Sequence, residues 1–364
     1  MEPIFRPTRA EVRLDAVRNN LKKLAAAAAP AKLLFVVKAN AYGHGAAVLA
    51  ALAEKENLAW GFGVSSVEEG LALRSAGIRK PVLVLGSLYP FESFVAAIGA
   101  GLSVTIASLD AARQVAEAAR GLGKKASCHI KLETGMNRIG ARRPSALKIY
   151  EELAAAPETE VAGLYTHLSS ADTDEEYTGG QLALLRESAR EIAARGGRPM
   201  LHAANSCAAV ALPGSRFDMV RAGIAAYGLA EGFAPALEWK TRIVFVKNVR
   251  EGACISYNKS FHAPRPMKVA TLPVGYADGY LRRFSNRADV LIGGRRCRVL
   301  GNVTMDMTMA DVTEVKDAAA GAEAVLLGRQ NGEEITAEEL AGHAGTITYE
   351  IVTLISARVP RVYL

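Results

Sequence analysis

The 364-residue chain has only four cysteines, Cys128, Cys207, Cys254 and Cys297, and no two are close. There is no CxxC pair and no zinc-type spacing, so no metal centre is expected. Widely spaced, mostly strand-embedded cysteines read as reduced core residues of a cytoplasmic protein. No run of five or more like charges occurs. The net charge of +7 is spread over doublets such as Lys124 and Lys125 or Arg282 and Arg283. A nucleic-acid or anionic-membrane role needs clustered basic residues, which this arrangement lacks. The longest apolar stretch, 24–37, is interrupted by Pro30 and Lys32 and is too short to span a membrane. The first residues, MEPIFRPTRAEVRL, contain no apolar core, so no secretory leader is expected. No Gly/Ser-rich linker and no short repeat divides the chain.

What is present is ordinary globular composition, half apolar and 22% charged. Such a length suits two domains, or one large barrel with an addition. Short apolar, β-branched runs recur at 33–37, 60–64, 82–85, 102–106, 128–132, 161–166, 200–203 and 219–226. Between them lie Ala/Leu/Glu-rich segments with helical spacing, such as Val17, Leu21 and Leu24 after Asp15 as N-cap. Ser65 and Ser66 precede Glu68 and Glu69 as two overlapping capping boxes. Eight strands alternating with helices predict parallel βαβ units, and eight closes a (β/α)8 TIM-like barrel, with a doubly wound sheet as the competing layout.

After Gly232 and Pro235 the rhythm changes to short strands and tight turns. Gly293 with Gly294 and Asn331 with Gly332 are turn signals, and Thr336 with Glu339 caps a brief helix. The expected organisation is therefore an α/β barrel over 10–235 and a mainly antiparallel β domain over 236–364, with residues 1–9 packing on the latter.

Chemistry in a barrel sits at the C-terminal strand ends. Lys38 follows the first run and shares a parity with Leu34 and Val36. It reads either as a desolvated amine suited to Schiff-base chemistry or as a snorkelling strand-end lysine. His129 and Lys131 share the parity suited to the lumen, and Arg221 points inward from the last strand. His167 ends the sixth run. Asn205 or Ser206 is placed to cap a helix, and Gly223 would let a phosphate approach the backbone. Loops after the seventh and eighth strands form the recurrent phosphate site of barrels. A lysine opposite a phosphate cradle suits pyridoxal phosphate.

The segment Val36-Val-Lys-Ala-Asn-Ala-Tyr-Gly-His-Gly45 resembles the cofactor-lysine signature of alanine racemases. The resemblance continues in order through Lys131-Leu-Glu-Thr-Gly-Met-Asn-Arg138, Gly163-Leu-Tyr-Thr-His167, His202-Ala-Ala-Asn-Ser206 and Met219-Val-Arg-Ala-Gly-Ile224. In the second domain it covers Ser256-Tyr257, Gly275-Tyr-Ala-Asp-Gly279, Met305-Asp306 and Thr348-Tyr349-Glu350.

This resemblance implies pyridoxal 5'-phosphate held by Lys38, which then serves as one acid/base. It implies Tyr257 of the partner subunit as the opposite base, in a homodimer whose second domain completes the partner's site. Tyr42, Ser206, Gly223, Ile224 and Tyr349 would hold the phosphate, with Asn205 and His167 among the cofactor-binding residues. Arg221 would face the pyridine nitrogen, and His167 would contact both Arg221 and the catalytic tyrosine. Arg138 and the Met305 amide would bind the substrate carboxylate, and Arg138 would also contact the cofactor's phenolic oxygen. Lys131 matches a lysine that many relatives carry as a carbamate, orienting Arg138. Tyr276, Arg282, Asp172 and Asn302 fall where the family lines the substrate entrance, and Asp306 is expected to orient its neighbours. Asn302 departs from the pattern, because many relatives have Arg after the Gly matching Gly301. The implied activity is interconversion of L- and D-alanine, supplying D-alanine for peptidoglycan. A broader amino-acid or serine racemase, a decarboxylase and a non-catalytic cofactor carrier are the alternatives.

Overall fold

A computed structural model describes residues 5–364. Two compact units emerge. One comprises Val17–Ala41 and Gly45–Phe233; the other comprises, among the described residues, 5–16, Tyr42–His44 and Ala234–Leu364.

The first unit is a closed barrel of eight parallel strands: β2 (Lys32–Val36), β3 (Gly61–Val64), β4 (Val82–Val84), β5 (Ser103–Ile106), β6 (Ala126–Lys131), β7 (Thr159–Tyr165), β8 (Met200–His202) and β9 (Met219–Ala222). Its lumen is packed, not hollow. Leu34, Leu83 and Met219 form a buried cluster, with Trp60, Leu85 and Met200 against it. The connecting helices start where the sequence places polar caps. Ser66 accepts from Glu69 N, Ser108 from Ala111 N, Asp174 from Tyr177 N and Asn205 from Ala208 N. Helix Leu14–Ala28 begins before Asp15, which therefore sits inside the first turn and complements the helix dipole instead of capping it. The expected strand over 219–226 stops at Ala222, and Ile224–Tyr227 forms a 3-10 turn.

The second unit carries a seven-stranded sheet. Its central strands Glu323–Gln330 and Leu237–Arg242 run antiparallel, and β1 (Arg9–Val12) pairs with Leu237–Arg242 on one side and with Arg361–Tyr363, in parallel, on the other. The Gly293–Gly294 hairpin forms as expected, with both glycines at positive φ. A three-stranded sheet is built from Phe245–Val249, Met267–Leu272 and Thr308–Asp311. A short hairpin, Cys254–Ile255 with Phe261–His262, presents Tyr257 in its connecting turn. All four cysteines are free. Cys128 and Cys297 are buried, but Cys254 is exposed, because its short strand lies on the surface. Among the described residues no helix is long and apolar enough to cross a membrane.

Candidate active site

The polypeptide leaves β2 in an unusual conformation. Ala39, Asn40, Ala41 and Tyr42 all have φ between 51° and 55°, a left-handed turn without glycine. Such a turn costs about 1–2 kcal/mol per residue, so other contacts must hold it. Ala41 N donates to Val37 O, and Gly45 N to Asn40 O, both at 2.8 Å. The Asn40 side chain accepts from Ala46 N at 2.9 Å. Glu69 contributes both carboxylate oxygens, accepting from Ala39 N at 2.6 Å and from Ser65 N at 2.7 Å. Glu69 thus ties the Lys38 turn to the loop after β3, instead of closing the capping box its spacing suggests. Strain held by surrounding structure is characteristic of functional loops.

Lys38 faces a cavity of about 210 Å³ at the C-terminal strand ends, which Lys131, Arg138, Tyr165, His167 and Arg221 also line. None of the lining residues is acidic. Burial, and then the Arg138 charge, lowers the Lys38 pKa, with Glu69 opposing. Lys131 is brought down to about 8, chiefly by burial, then by Arg138 and Arg221. Arg221 is buried and lowered to about 10, which leaves its guanidinium charged at neutral pH. Four cationic groups around one small cavity call for an anionic occupant.

Arg221 is held firmly. One terminal nitrogen, NH2, donates to Thr166 O and Ala203 O at 2.8 Å and lies 3.2 Å from His167 Nδ1. The other, NH1, donates to His202 Nδ1 at 3.0 Å. Its guanidinium carbon sits 5.3 Å from the centre of the Tyr165 ring. Tyr165 lies parallel to His202 at 4.5 Å and hydrogen-bonds Thr105 at 2.7 Å. His167 is pushed down to about 3 by burial and by Arg221, so its imidazole is neutral.

Nearby in the barrel, Ser206 Oγ accepts from Gly223 N at 2.8 Å and from Ala225 N at 3.4 Å. The loop after β8 and the turn after β9, including Ile224, are thereby tied together. Asp172 stands in an exposed loop after β7, and its charge raises the Cys207 pKa after burial does.

The remaining predicted residues belong to the β unit. Tyr257 is 69% exposed, in a turn where Ser256, Asn258 and Lys259 all have positive φ. Met305 is exposed, and its carbonyl accepts from Ala277 N at 3.0 Å. Asp306 pairs with Arg358 at 2.7 Å, and Arg358 also faces the buried Asp278. Tyr276 and Arg282 line a second cavity of this unit, with Glu350. The rings of Tyr42 and Tyr349 are 6.0 Å apart. Neither Glu69 nor His202 is legible in the sequence as site-forming. Their signals, a helix-start acid and a buried strand-end histidine, each have a commoner structural use.

Residues 12–231 match the family model described as "Alanine racemase, N-terminal domain", and residues 236–363 match "Alanine racemase, C-terminal domain". The chain is 48% identical to an alanine racemase of Symbiobacterium thermophilum, over 99% of this chain and 97% of that protein. The crystal structure of the alanine racemase from Bacillus anthracis with bound L-Ala-P superposes with a TM-score of 0.93, at 35% identity, covering all of this chain and 96% of the other. A histidine racemase from Leuconostoc mesenteroides shares the fold, with a TM-score of 0.91, 26% identity and coverage of 100% and 99%.

Proposed function

The chain belongs to the alanine racemase family, and from that premise we propose that it interconverts L- and D-alanine with pyridoxal phosphate by a two-base mechanism. The observation that carries this reading is the joint presence of Lys38 and Arg221 on one polar cavity without a lining carboxylate. The residues fit the group. Lys38 supplies an amine with a lowered pKa, the four cations balance a phosphate-bearing ligand, and Arg221 has donors to spare. Of the two hydrogens on its NH1, one goes to His202 and the second remains for a ring nitrogen. When bound, pyridoxal phosphate supplies an aldehyde that links to amines and a ring that draws electron density from the substrate Cα.

The protein's own groups do the rest. Lys38 Nζ would anchor the cofactor and, once displaced by substrate, take up or return the Cα proton on one face. Its lowered pKa makes the amine a readier proton acceptor and donor in that exchange. Tyr257 Oη of the partner subunit would do the same on the other face, and its exposure within one chain accords with that use. The chain would therefore act as a homodimer. A guanidinium only donates, so Arg221 would keep the ring nitrogen unprotonated and restrain electron withdrawal. That limits side reactions and favours racemisation over transamination. Ser206, Gly223 and Ile224, with Tyr42 and Tyr349, would take the phosphate, and Asn205 would fix the Ser206 helix start. Arg138 and the Met305 amide would bind the substrate carboxylate. Tyr276, Arg282 and Asp172 would line the entrance. The product role is D-alanine for peptidoglycan.

A broader racemase is the second reading, favoured by Asn302 in place of the family's arginine. The test is chiral analysis of L-alanine incubated with purified protein and pyridoxal phosphate, beside L-serine, L-lysine and L-histidine. Conversion of alanine alone to an equal D/L mixture is expected. Faster conversion of another amino acid selects the second reading, and no conversion overturns both.

A further inference from the structure

We infer that His129, two hydrogen bonds behind the cavity, is a positioning residue for Arg221, and that residue 163 is glycine to make room for its imidazole. The consequence for turnover rests on the reading of Arg221 given above. The assignment of hydrogens does not.

A guanidinium carries only donors, so the nitrogen that receives Arg221 NH1, His202 Nδ1, must be bare. His202 is fully buried, and burial with the Arg221 charge holds its pKa well below 6.5. A neutral imidazole has one hydrogen, which this contact places on Nε2 so long as an acceptor there receives it. That nitrogen lies 3.0 Å from His129 Nδ1. His129 Nδ1 must then accept, and burial, which brings His129 down to about 4, keeps it able to do so. Only one tautomer of His202 satisfies both neighbours. In the other, an Nδ1 hydrogen would face a guanidinium hydrogen and NH1 would be turned away. NH2 has two carbonyls of its own, Thr166 O and Ala203 O, whereas NH1 has His202. His129 therefore sets the direction of the arm that has a hydrogen left for the cavity.

Gly163 supplies the second observation. The β6–β7 register shifts after Cys128, pairing Cys128 with Val161 but His129 with Gly163. A Cβ at residue 163 would overlap Nδ1, Cε1 and Cγ of the His129 ring. Gly163 is not among the positive-φ glycines. Its backbone suits any residue, so ring volume alone demands glycine.

The experiment uses holoenzyme with 15N-labelled histidine and three variants. In the wild-type protein His202 should show one bare Nδ1 and one protonated Nε2 imidazole signal. A protonated Nδ1 there overturns the inference with no variant needed. His129→Leu and Gly163→Ala should each lose that single-tautomer pattern, shift the cofactor's visible absorbance in the same direction, and lower kcat for alanine about tenfold with KM within about twofold. Tenfold is the rate equivalent of one hydrogen bond of about 1.4 kcal/mol. His129→Asn, whose Oδ1 can stand where Nδ1 stands, should recover all three. Wild-type kcat and tautomer in His129→Leu overturn the inference, as does His129→Asn performing no better than His129→Leu, which would mark a packing role. Arg221→Gln separates the two readings. If the tautomer is lost but kcat and absorbance stay unmoved, an impaired Arg221→Gln overturns the positioning role, whereas an unimpaired Arg221→Gln overturns the Arg221 reading.

Discussion

The side-chain amide of Asn302 donates to the backbone carbonyl of Tyr257 at 2.8 Å, and the carbonyl of Asn302 accepts from Ser256 Oγ at 2.6 Å. Asn302 is thus fastened to the turn bearing the proposed second base. Ser256, Asn258 and Lys259 are all left-handed there, at φ 65°, 60° and 50°, and the two bonds help offset that strain. Asn302→Ala should lower kcat about two- to tenfold, the equivalent of a hydrogen bond of 0.5–1.5 kcal/mol, while cofactor absorbance is kept. Steady-state kinetics of the variant checks this. An unchanged kcat would mean the turn is held without Asn302.

Removing either base should separate binding from turnover. Lys38→Ala is expected to lose both the visible cofactor band and activity. Tyr257→Phe keeps the ring but removes the hydroxyl, so the band should stay while turnover falls by about 10²-fold or more, the range for a positioned acid or base. Absorbance spectra and chiral assay of the two proteins decide it. A fully active Tyr257→Phe removes the two-base assignment.

The barrel is legible in the sequence because its strands are buried and therefore read as short apolar runs between helical segments. Cap and turn chemistry is local, which is why Thr336 and the Gly293–Gly294 turn are also visible. What stays hidden is non-local. Strand Arg9–Val12 is four residues long and gains its place only by pairing with Leu237–Arg242 and Arg361–Tyr363, far along the chain. Nothing in Ala39-Asn-Ala-Tyr42 announces a left-handed turn, since no glycine is present and the restraint comes from Glu69. Parity places His129 and Arg221 in the lumen, but periodicity reports burial, not partners. The His202 link between them becomes visible only when the strands close.

Acid should destabilise the protein through its neutral histidines. His129 and His167 are brought to about 4 and about 3, and His202 is also held low, chiefly by burial and next by Arg221. Their folded pKa values lie below the unfolded 6.5, so between 6.5 and 4 the unfolded chain binds more protons. Stability is thus fully present above 6.5 and falls as pH drops below it, by about 1.4 kcal/mol per pH unit for each histidine. Urea midpoints measured from pH 7.5 to 4.5 should decline accordingly. A flat profile would mean that these imidazoles are charged, or solvated, in the folded state.

Lys131 offers a chemical test at the cavity itself. Its amine, brought to about 8 mainly by burial, is about one tenth neutral at pH 7, against about one in several thousand for an ordinary lysine. Only the neutral amine attacks carbon dioxide, giving a carbamate and releasing a proton. The product replaces a cation by an anion among Lys38, Arg138 and Arg221, which relieves the crowding of like charge that depresses the amine in the first place. Arg138 would gain a carboxylate partner to orient it. The expected outcome is a carbamate signal in 13C spectra of enzyme equilibrated with 13C-bicarbonate, stronger at pH 8 than at pH 6.5 and missing in Lys131→Met. Stripping carbon dioxide should lower turnover, and readdition should restore it in the wild type but not in the variant. A Lys131→Met protein with unaltered kcat and KM would show that Arg138 is aligned by other means.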